Sequence, residues 1–375
     1  MENIVIVFGA NTINALGMVR SLGEAGIYPV CILLNTKSGL VYDSKYPIET
    51  IYKDSVEEGL SYIVSHFSKE KMKAFILSSD DRTSSIIDTY YYELIESFYI
   101  PNAGADGVIN YYMDKNNLSK LAASLGFDVP QTVVIDKKQT LPEDIPFPCF
   151  LKPVASIKGT KKEPAVCLNA GDVLEKIKIF SGDDILLQEY VDKKTELCFQ
   201  GFSINRGEEI FIPYVMRYFR FIDTSFGGYV CLDKFSDQKL FDKIHHLIQK
   251  IQYTGLFSVE FLLGKNGVLY FTEINFRHDG YSYFTTTGGA NLPYLYIKSV
   301  LNGRINTADL CIKEKVVGMN ELVDFSQFVV TGKLSLLKWF YQFSMSNSHL
   351  LFNFRDIFPS CKLIMRWCIY KFRKR

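Results

Sequence analysis

No two of the eight cysteines (Cys31, Cys149, Cys167, Cys198, Cys231, Cys311, Cys361 and Cys368) form a CxxC pair. That spacing argues against a zinc site or a disulfide framework and fits reduced, mostly buried thiols. No charge-free run of eighteen or more apolar residues occurs, so no membrane-spanning helix is expected. The start, Met1-Glu2-Asn3 with a brief apolar run, does not read as a secretory signal. An excess of charge of one sign is missing as well: the net charge is +1, which argues against a general nucleic-acid binder. The glycine-poor stretch GANTINALG (Gly9–Gly17) lacks the GxGxxG spacing of a dinucleotide site and reads as a tight strand-to-helix turn. These absences leave a folded chain expected in the cytoplasm. With 375 residues, 47% apolar and 22% charged, it can build two or three domains around substantial cores.

The richest stretch is Glu260–Gly280, EFLLGKNGVLYFTEINFRHDG. Two apolar runs flank Lys265-Asn266-Gly267, and Asn-Gly is the strongest short-range signal for a two-residue hairpin turn. With Asn266 and Gly267 as the turn, Lys265 pairs with Val268 and Glu260 falls directly opposite Glu273. Like charges placed so destabilise a sheet unless something offsets them. A divalent cation is the natural candidate, because Mg²⁺ takes carboxylate and amide oxygens and leaves places open for phosphate. Strand alternation puts Asn275 and Arg277 on the same face as Glu273. A surface hairpin with a polar outer face is the alternative.

The chain opens as strand (Ile4–Phe8), helix (about Thr12–Ala25) and strand (Pro29–Leu34), the start of a doubly wound sheet. A further strand, Lys73–Ser79, ends in Ser79-Asp80-Asp81-Arg82, at the sheet edge where ligands gather. Asp114 caps a helix closed by Gly126, with Lys115 in its first turn, where backbone N–H groups favour anions. In Pro148-Cys-Phe-Leu-Lys152-Pro153 a lysine sits in an apolar strand, which is costly unless its ammonium meets an anion or snorkels to water. Ile185–Val191 reads as a strand leading into a turn at Asp192–Lys194. Glu196 follows where apolar residues resume, so it needs a partner. Arg217 and Arg220 stand at helix-like spacing among aromatics, and cation–aromatic packing explains them as well as a catalytic role does. Phe241–Gln252 reads as an amphipathic helix. His278–Asn291 is rich in Gly, Ser and Thr and reads as a mobile loop, with His278 either a base or a structural residue. From about Thr331 the chain is basic and aromatic, with Asp356 its single acid. Such a segment suits an anionic membrane surface or a helical hairpin packed on the core.

Glu260, Glu273 and Asn275 in the Glu-Ile-Asn-Phe-Arg run resemble the metal-binding residues of the ATP-grasp superfamily, closest to its carboxylate–amine ligases. The resemblance covers about Tyr111–Gly303 and, more loosely, the first hundred residues. It implies an α/β chain with an N-terminal Rossmann-like (pre-ATP-grasp) domain over 1–110. An ATP-grasp domain of two α+β subdomains follows over 111–304, then a basic, aromatic helical segment over 305–375. It implies ATP with Mg²⁺ or Mn²⁺, the metal on Glu260, Glu273 and Asn275. Lys115 and Lys152 would contact phosphates, and Ser156 and Gly159 would lie in the loop that closes over them. Glu189, Tyr190 and Val191 would hold adenine and Glu196 the ribose. Arg277, Arg217 and Arg220 would stabilise the transferring group, and Asp80 would border the acceptor. Similar ligases of surface-glycan gene clusters end in a comparable Asp356-Ile357-Phe358-Pro359 element. The partners implied are a carboxylate and an amine, small or glycan-linked, with peripheral membrane contact as an extension. Bicarbonate activation, other phosphotransfer, or a degenerate scaffold for glycan synthesis are the alternatives.

Overall fold

The computed structural model describes residues 3–137, 141–142, 145–153, 165–179, 184–222 and 225–373. Its first sheet is built from the uninterrupted apolar runs at the start of the chain. Strands β1 (Val5–Ala10), β2 (Val30–Leu34), β3 (Glu49–Tyr52), β4 (Ala74–Ser78) and β5 (Phe98–Tyr99) lie in the order β3-β2-β1-β4-β5. All the pairings are parallel. Strands β1, β2 and β4 are buried along their whole length, because helices cover both faces of such a sheet. The order reverses at β1, so the carboxyl ends of β1 and β4 border a crevice of the kind where ligands bind in open α/β sheets. Asp80 stands there as the cap of helix Asp81–Thr89.

The second sheet is small and antiparallel: β6 (Thr132–Asp136), β7 (Cys149–Pro153), β8 (Ala165–Cys167) and β9 (Asp184–Glu189), in the order β6-β9-β7-β8. Its core holds Ile135, Cys149, Leu151, Cys167, Val173, Ile185 and Leu187.

The third sheet has seven strands. They are β10 (Lys193–Ile204), β11 (Glu209–Ile222), β12 (Ser225–Lys234), β13 (Gly255–Gly264), β14 (Leu269–Asn275), β15 (Lys315–Met319) and β16 (Ser348–His349), ordered β14-β13-β10-β11-β12-β15-β16. Side-chain alternation divides this sheet into two chemistries. Phe199, Val259, Phe261, Phe271 and Ile274 turn to one side and pack with Ile244, Leu247, Ile248 and Ile251 of helix Gln238–Ile251. Directly paired residues share a face, so Cys198, Glu260 and Glu273 stand together on the other.

Glu260 does pair with Glu273, but by a different route from a two-residue turn. The N–H of Gly264 donates to Val268 O at 2.9 Å and that of Gly267 to Gly264 O at 3.0 Å. Lys265-Asn266-Gly267 is therefore a three-residue loop with Gly267 at φ +82°, the left-handed position that glycine tolerates. That shifts the register by one, pairing Leu263 with Leu269 and Phe261 with Phe271. A bulge at Thr272, whose hydroxyl donates to Glu260 O at 2.8 Å, shifts it back. Two offsets cancel, and the acids meet.

The Gly/Ser/Thr-rich stretch after β14 is not a mobile loop. Tyr281–Ser282 and helix Tyr283–Thr287 are largely buried, with Phe284 and Thr285 fully so. Its small residues permit close packing, and its aromatics supply the core that polarity alone concealed. The basic C-terminal segment is also tied in: β15 and β16 extend the large sheet. Asp356 accepts from Arg20 Nε at 2.9 Å, and both side chains are fully buried. The same guanidinium donates to the carbonyls of Leu350, Leu351 and Asp356. Ser44 Oγ and Lys45 N complete the shell of the carboxylate. Asp356→Ala leaves a buried arginine without its counter-ion, so we expect a loss of roughly 3–5 kcal/mol in urea-unfolding free energy. A change under about 1 kcal/mol would show that the pair does not anchor the segment.

Candidate active site

The two opposed glutamates are held by unequal means. Glu273 Oε2 receives Lys115 Nζ at 2.9 Å, and that ammonium holds its carboxyl well below the usual range against the effect of burial. Among the described residues no lysine is paired with Glu260. Asn275 Nδ2 donates to its Oε1 at 2.8 Å, while burial, then Glu273 and Asp279, push its carboxyl well above the usual range. Two carboxylates sharing one site cannot both ionise without added positive charge.

The cations arrive from two other elements. Asp114 caps helix Lys115–Ser124 through the N–H groups of Asn116 and Asn117. This fixes Lys115 in the first turn, beside the β14 edge. Burial disfavours its ammonium, but Glu273, with Glu260 and Asp81, raises the lysine above its ordinary value. Lys152, on β7, donates to Gln188 Oε1 at 2.8 Å, a neutral partner. Burial, with Lys115 nearby, pushes it down to about 7 in spite of both glutamates. Lys115, itself paired with Glu273, disfavours a second ammonium at Lys152.

Arg277 continues the alternation beyond β14. Its Nη2 donates to Asn275 Oδ1 at 2.9 Å and its Nε to Asp81 Oδ1 at 2.6 Å. Asp81 is thus the residue of the first domain that enters the constellation. Its neighbour Asp80 instead caps its helix and accepts from Ala10 N at 2.6 Å. Ser84 Oγ donates to Phe276 O at 3.1 Å, so helix Asp81–Thr89 docks on the end of the metal-candidate strand. Sequence reasoning passed over Asp81 because both aspartates sit at the sheet edge and only the helix start separates them. It also passed over Asp279, whose carboxylate lies with Glu260 and Cys198 Sγ within 4.8 Å of one another. The alternation Asn275, Arg277, Asp279 was the available signal. The Cys198 thiol, raised well above its ordinary value by burial and by Asp279, suits a hard cation poorly. The carboxylate and amide oxygens are the better donor set.

The other candidates are placed as follows. Glu189 ends β9, and its Oε2 accepts from Gln131 N at 3.1 Å. Tyr190 N donates to Pro148 O at 3.0 Å, and Val191 is buried. These three form the join between the small and large sheets. Glu196 stands on the face of Cys198 and is paired with Lys193 at 2.6 Å. Ser156 and Gly159 lie outside the described residues. Arg217 and Arg220 are on strand β11, not a helix. Arg217 pairs with Leu197, which puts it on the face opposite Glu260, where it meets Asp233 at 3.1 Å. Arg220 grips Asp324 and Gln342. The register shift between Tyr218 and Arg220 turns it to the C-terminal segment, so neither arginine joins the carboxylates. His278 is 1% exposed and held at about 3 by burial and by Arg277. Burial thus favours its neutral ring.

This architecture has known counterparts. It superposes on the N5-carboxyaminoimidazole synthetase of Staphylococcus aureus complexed with ADP, with a TM-score of 0.69 and 16% identity over 88% of this chain and 85% of that one. It also superposes on the L-amino acid ligase of Bacillus licheniformis, with a TM-score of 0.62 and 11% identity over 82% and 78%. The chain has the ATP-grasp fold. In sequence it is 24% identical over 328 residues to the D-aspartate ligase of Enterococcus faecium (strain Aus0004), covering 78% of this chain and 75% of that protein. No protein-family model matches the chain.

The residues present fit a divalent cation carrying nucleotide phosphates. Glu260 is raised by burial and by Glu273, and Lys152 donates to the neutral Gln188 rather than to an acid. A metal–phosphate pair would satisfy both. Glu260→Gln relieves the repulsion while removing a candidate metal ligand. We expect the ligand-free protein to melt no lower than wild type, while Mg²⁺-dependent ATP affinity in calorimetry falls at least about tenfold. Unchanged affinity would remove Glu260 from the metal site.

Proposed function

We propose that this ATP-grasp protein is an ADP-forming ligase that activates a carboxylate and joins it to an amine as an amide. The observation that carries the reading is the set Glu260, Glu273, Asn275, Lys115, Lys152 and Arg277, drawn from four elements around one strand end. The likeness to a D-aspartate ligase and an L-amino acid ligase supports amide formation over other uses of the fold.

ATP with its divalent cation would supply the phosphoryl group that turns a substrate carboxylate into an acyl phosphate open to attack by an amine. The chain's own groups perform electrostatic and positioning work. Glu260, Glu273 and the Asn275 amide oxygen would hold the metal. Lys115, already at the β14 edge, and Lys152 would neutralise phosphate oxygens. An arriving phosphate would give the Lys152 ammonium the anion it lacks and favour its protonated form. Arg277, held by Asp81, would face the transferring group from the side of the first domain. The acceptor would then lie in the crevice at Asp80 and Asp81. The Glu189–Val191 join would receive adenine and Glu196 the ribose hydroxyls. No protein nucleophile is needed.

For the substrates we favour a sugar-linked or amino-acid carboxylate and amine, on the likeness of the C-terminal segment to that of surface-glycan ligases. The test is ADP release screened over uronic acids, sugar-linked carboxylates and amino acids in pairs, with mass spectrometry of the product. The expected result is ADP formed only when a carboxylate and an amine are both present, with an amide as product. Release supported by bicarbonate in place of the amine would overturn ligation, and failure to bind Mg-ATP would overturn the whole reading.

A further inference from the structure

The last two helices face the wrong way for a protein surrounded only by water. A surface helix normally turns its apolar stripe to the core. Helix Phe358–Arg373 does the reverse: Pro359 and Ser360 are buried. Asp43 of the first domain holds Lys362 at 3.3 Å and Arg366 at 2.6 Å. Phe358, Met365 and Ile369 share one helical face with the half-exposed Lys362 and stand 54%, 54% and 45% exposed. Helix Leu336–Met345 repeats the pattern. It buries Trp339, whose Nε1 donates to Asp324 Oδ2 at 2.9 Å, and leaves Leu337, Phe340 and Tyr341 at 85%, 54% and 65% exposure. Single exposed apolar residues are ordinary, whereas stripes along two successive helices mark an interaction surface.

Charge selects what covers it. Residues 331–375 carry nine lysines and arginines against one acid, Asp356, and Asp356 is consumed by Arg20. A second copy meeting the same face would set like charges together. A nucleic acid would satisfy the cations but offer no apolar phase to Leu337 or Met365. A bilayer surface with anionic headgroups satisfies both. Among the described residues no helix is long and apolar enough to cross a membrane, so these helices would lie on it. We propose that the helices Leu336–Met345 and Phe358–Arg373 form a docking face for an anionic membrane surface, placing the ATP-grasp site beside lipid-linked substrates.

The test is flotation of the full chain with phosphatidylcholine vesicles, with or without roughly a third phosphatidylglycerol. We expect binding to the anionic vesicles at least about tenfold stronger than to neutral ones, and release near 1 M salt, where the screening length falls to about 3 Å. Two double variants, Met365→Asp with Ile369→Asp and Leu337→Asp with Tyr341→Asp, change exposed side chains only. Each should weaken vesicle binding about tenfold or more while nucleotide binding stays as in wild type. The proposal is overturned by absent binding to anionic vesicles, by binding that neither variant weakens, or by lipid-free dimers that both variants dissolve.

Discussion

Two carboxylates facing each other across an antiparallel pair set the terms for the rest of this molecule. Glu260 and Glu273 cost stability where they stand, and the surrounding elements are arranged to meet that cost. Helix Lys115–Ser124 brings an ammonium to Glu273, β14 continues into Asn275 and Arg277, and β7 adds Lys152. Asp81 of the first domain then holds Arg277 at 2.6 Å. The compensation is incomplete, since Glu260 is raised by burial and Glu273, and Lys152 is lowered by burial and Lys115. Imbalance of this kind persists where a ligand completes the charge.

Much of this was legible in the residues because hairpins and caps are local. Asn266-Gly267 marks the turn and Asp114 marks the helix start. An apolar strand carrying Lys152 marks a buried cation. The details that failed were those that depend on more than one element. The extra residue at Thr272 has no local signature, and the acids meet only because it cancels the three-residue turn. The arginines at 217 and 220 show helix-like spacing, yet β11 is a long strand whose neighbours on both sides decide its state. His278–Asn291 looks like a loop by composition, and only the packing of Tyr281, Tyr283 and Phe284 reveals a core element. Asp81 is separated from Asp80 by a helix start, a one-residue distinction that determines which acid reaches Arg277.

The C-terminal segment joins these themes. Its one acid is spent on Arg20, in a buried pair linking it to the first domain. Through Gln342 it also holds Arg220, which cation–aromatic contacts place over Tyr229 and Phe328. Charges inside the segment fasten it to the ATP-grasp body, while its aliphatic and aromatic side chains turn outward. Polar groups anchor, and apolar groups present a surface.

The most direct test of the central claim is a crystal of the chain with Mn²⁺ and a non-hydrolysable ATP analogue, measured for anomalous scattering. The account predicts a metal peak coordinated by oxygens of both Glu260 and Glu273, with Lys152 on a phosphate. A nucleotide bound elsewhere, or a metal held by Cys198 and Asp279 without Glu273, would contradict it.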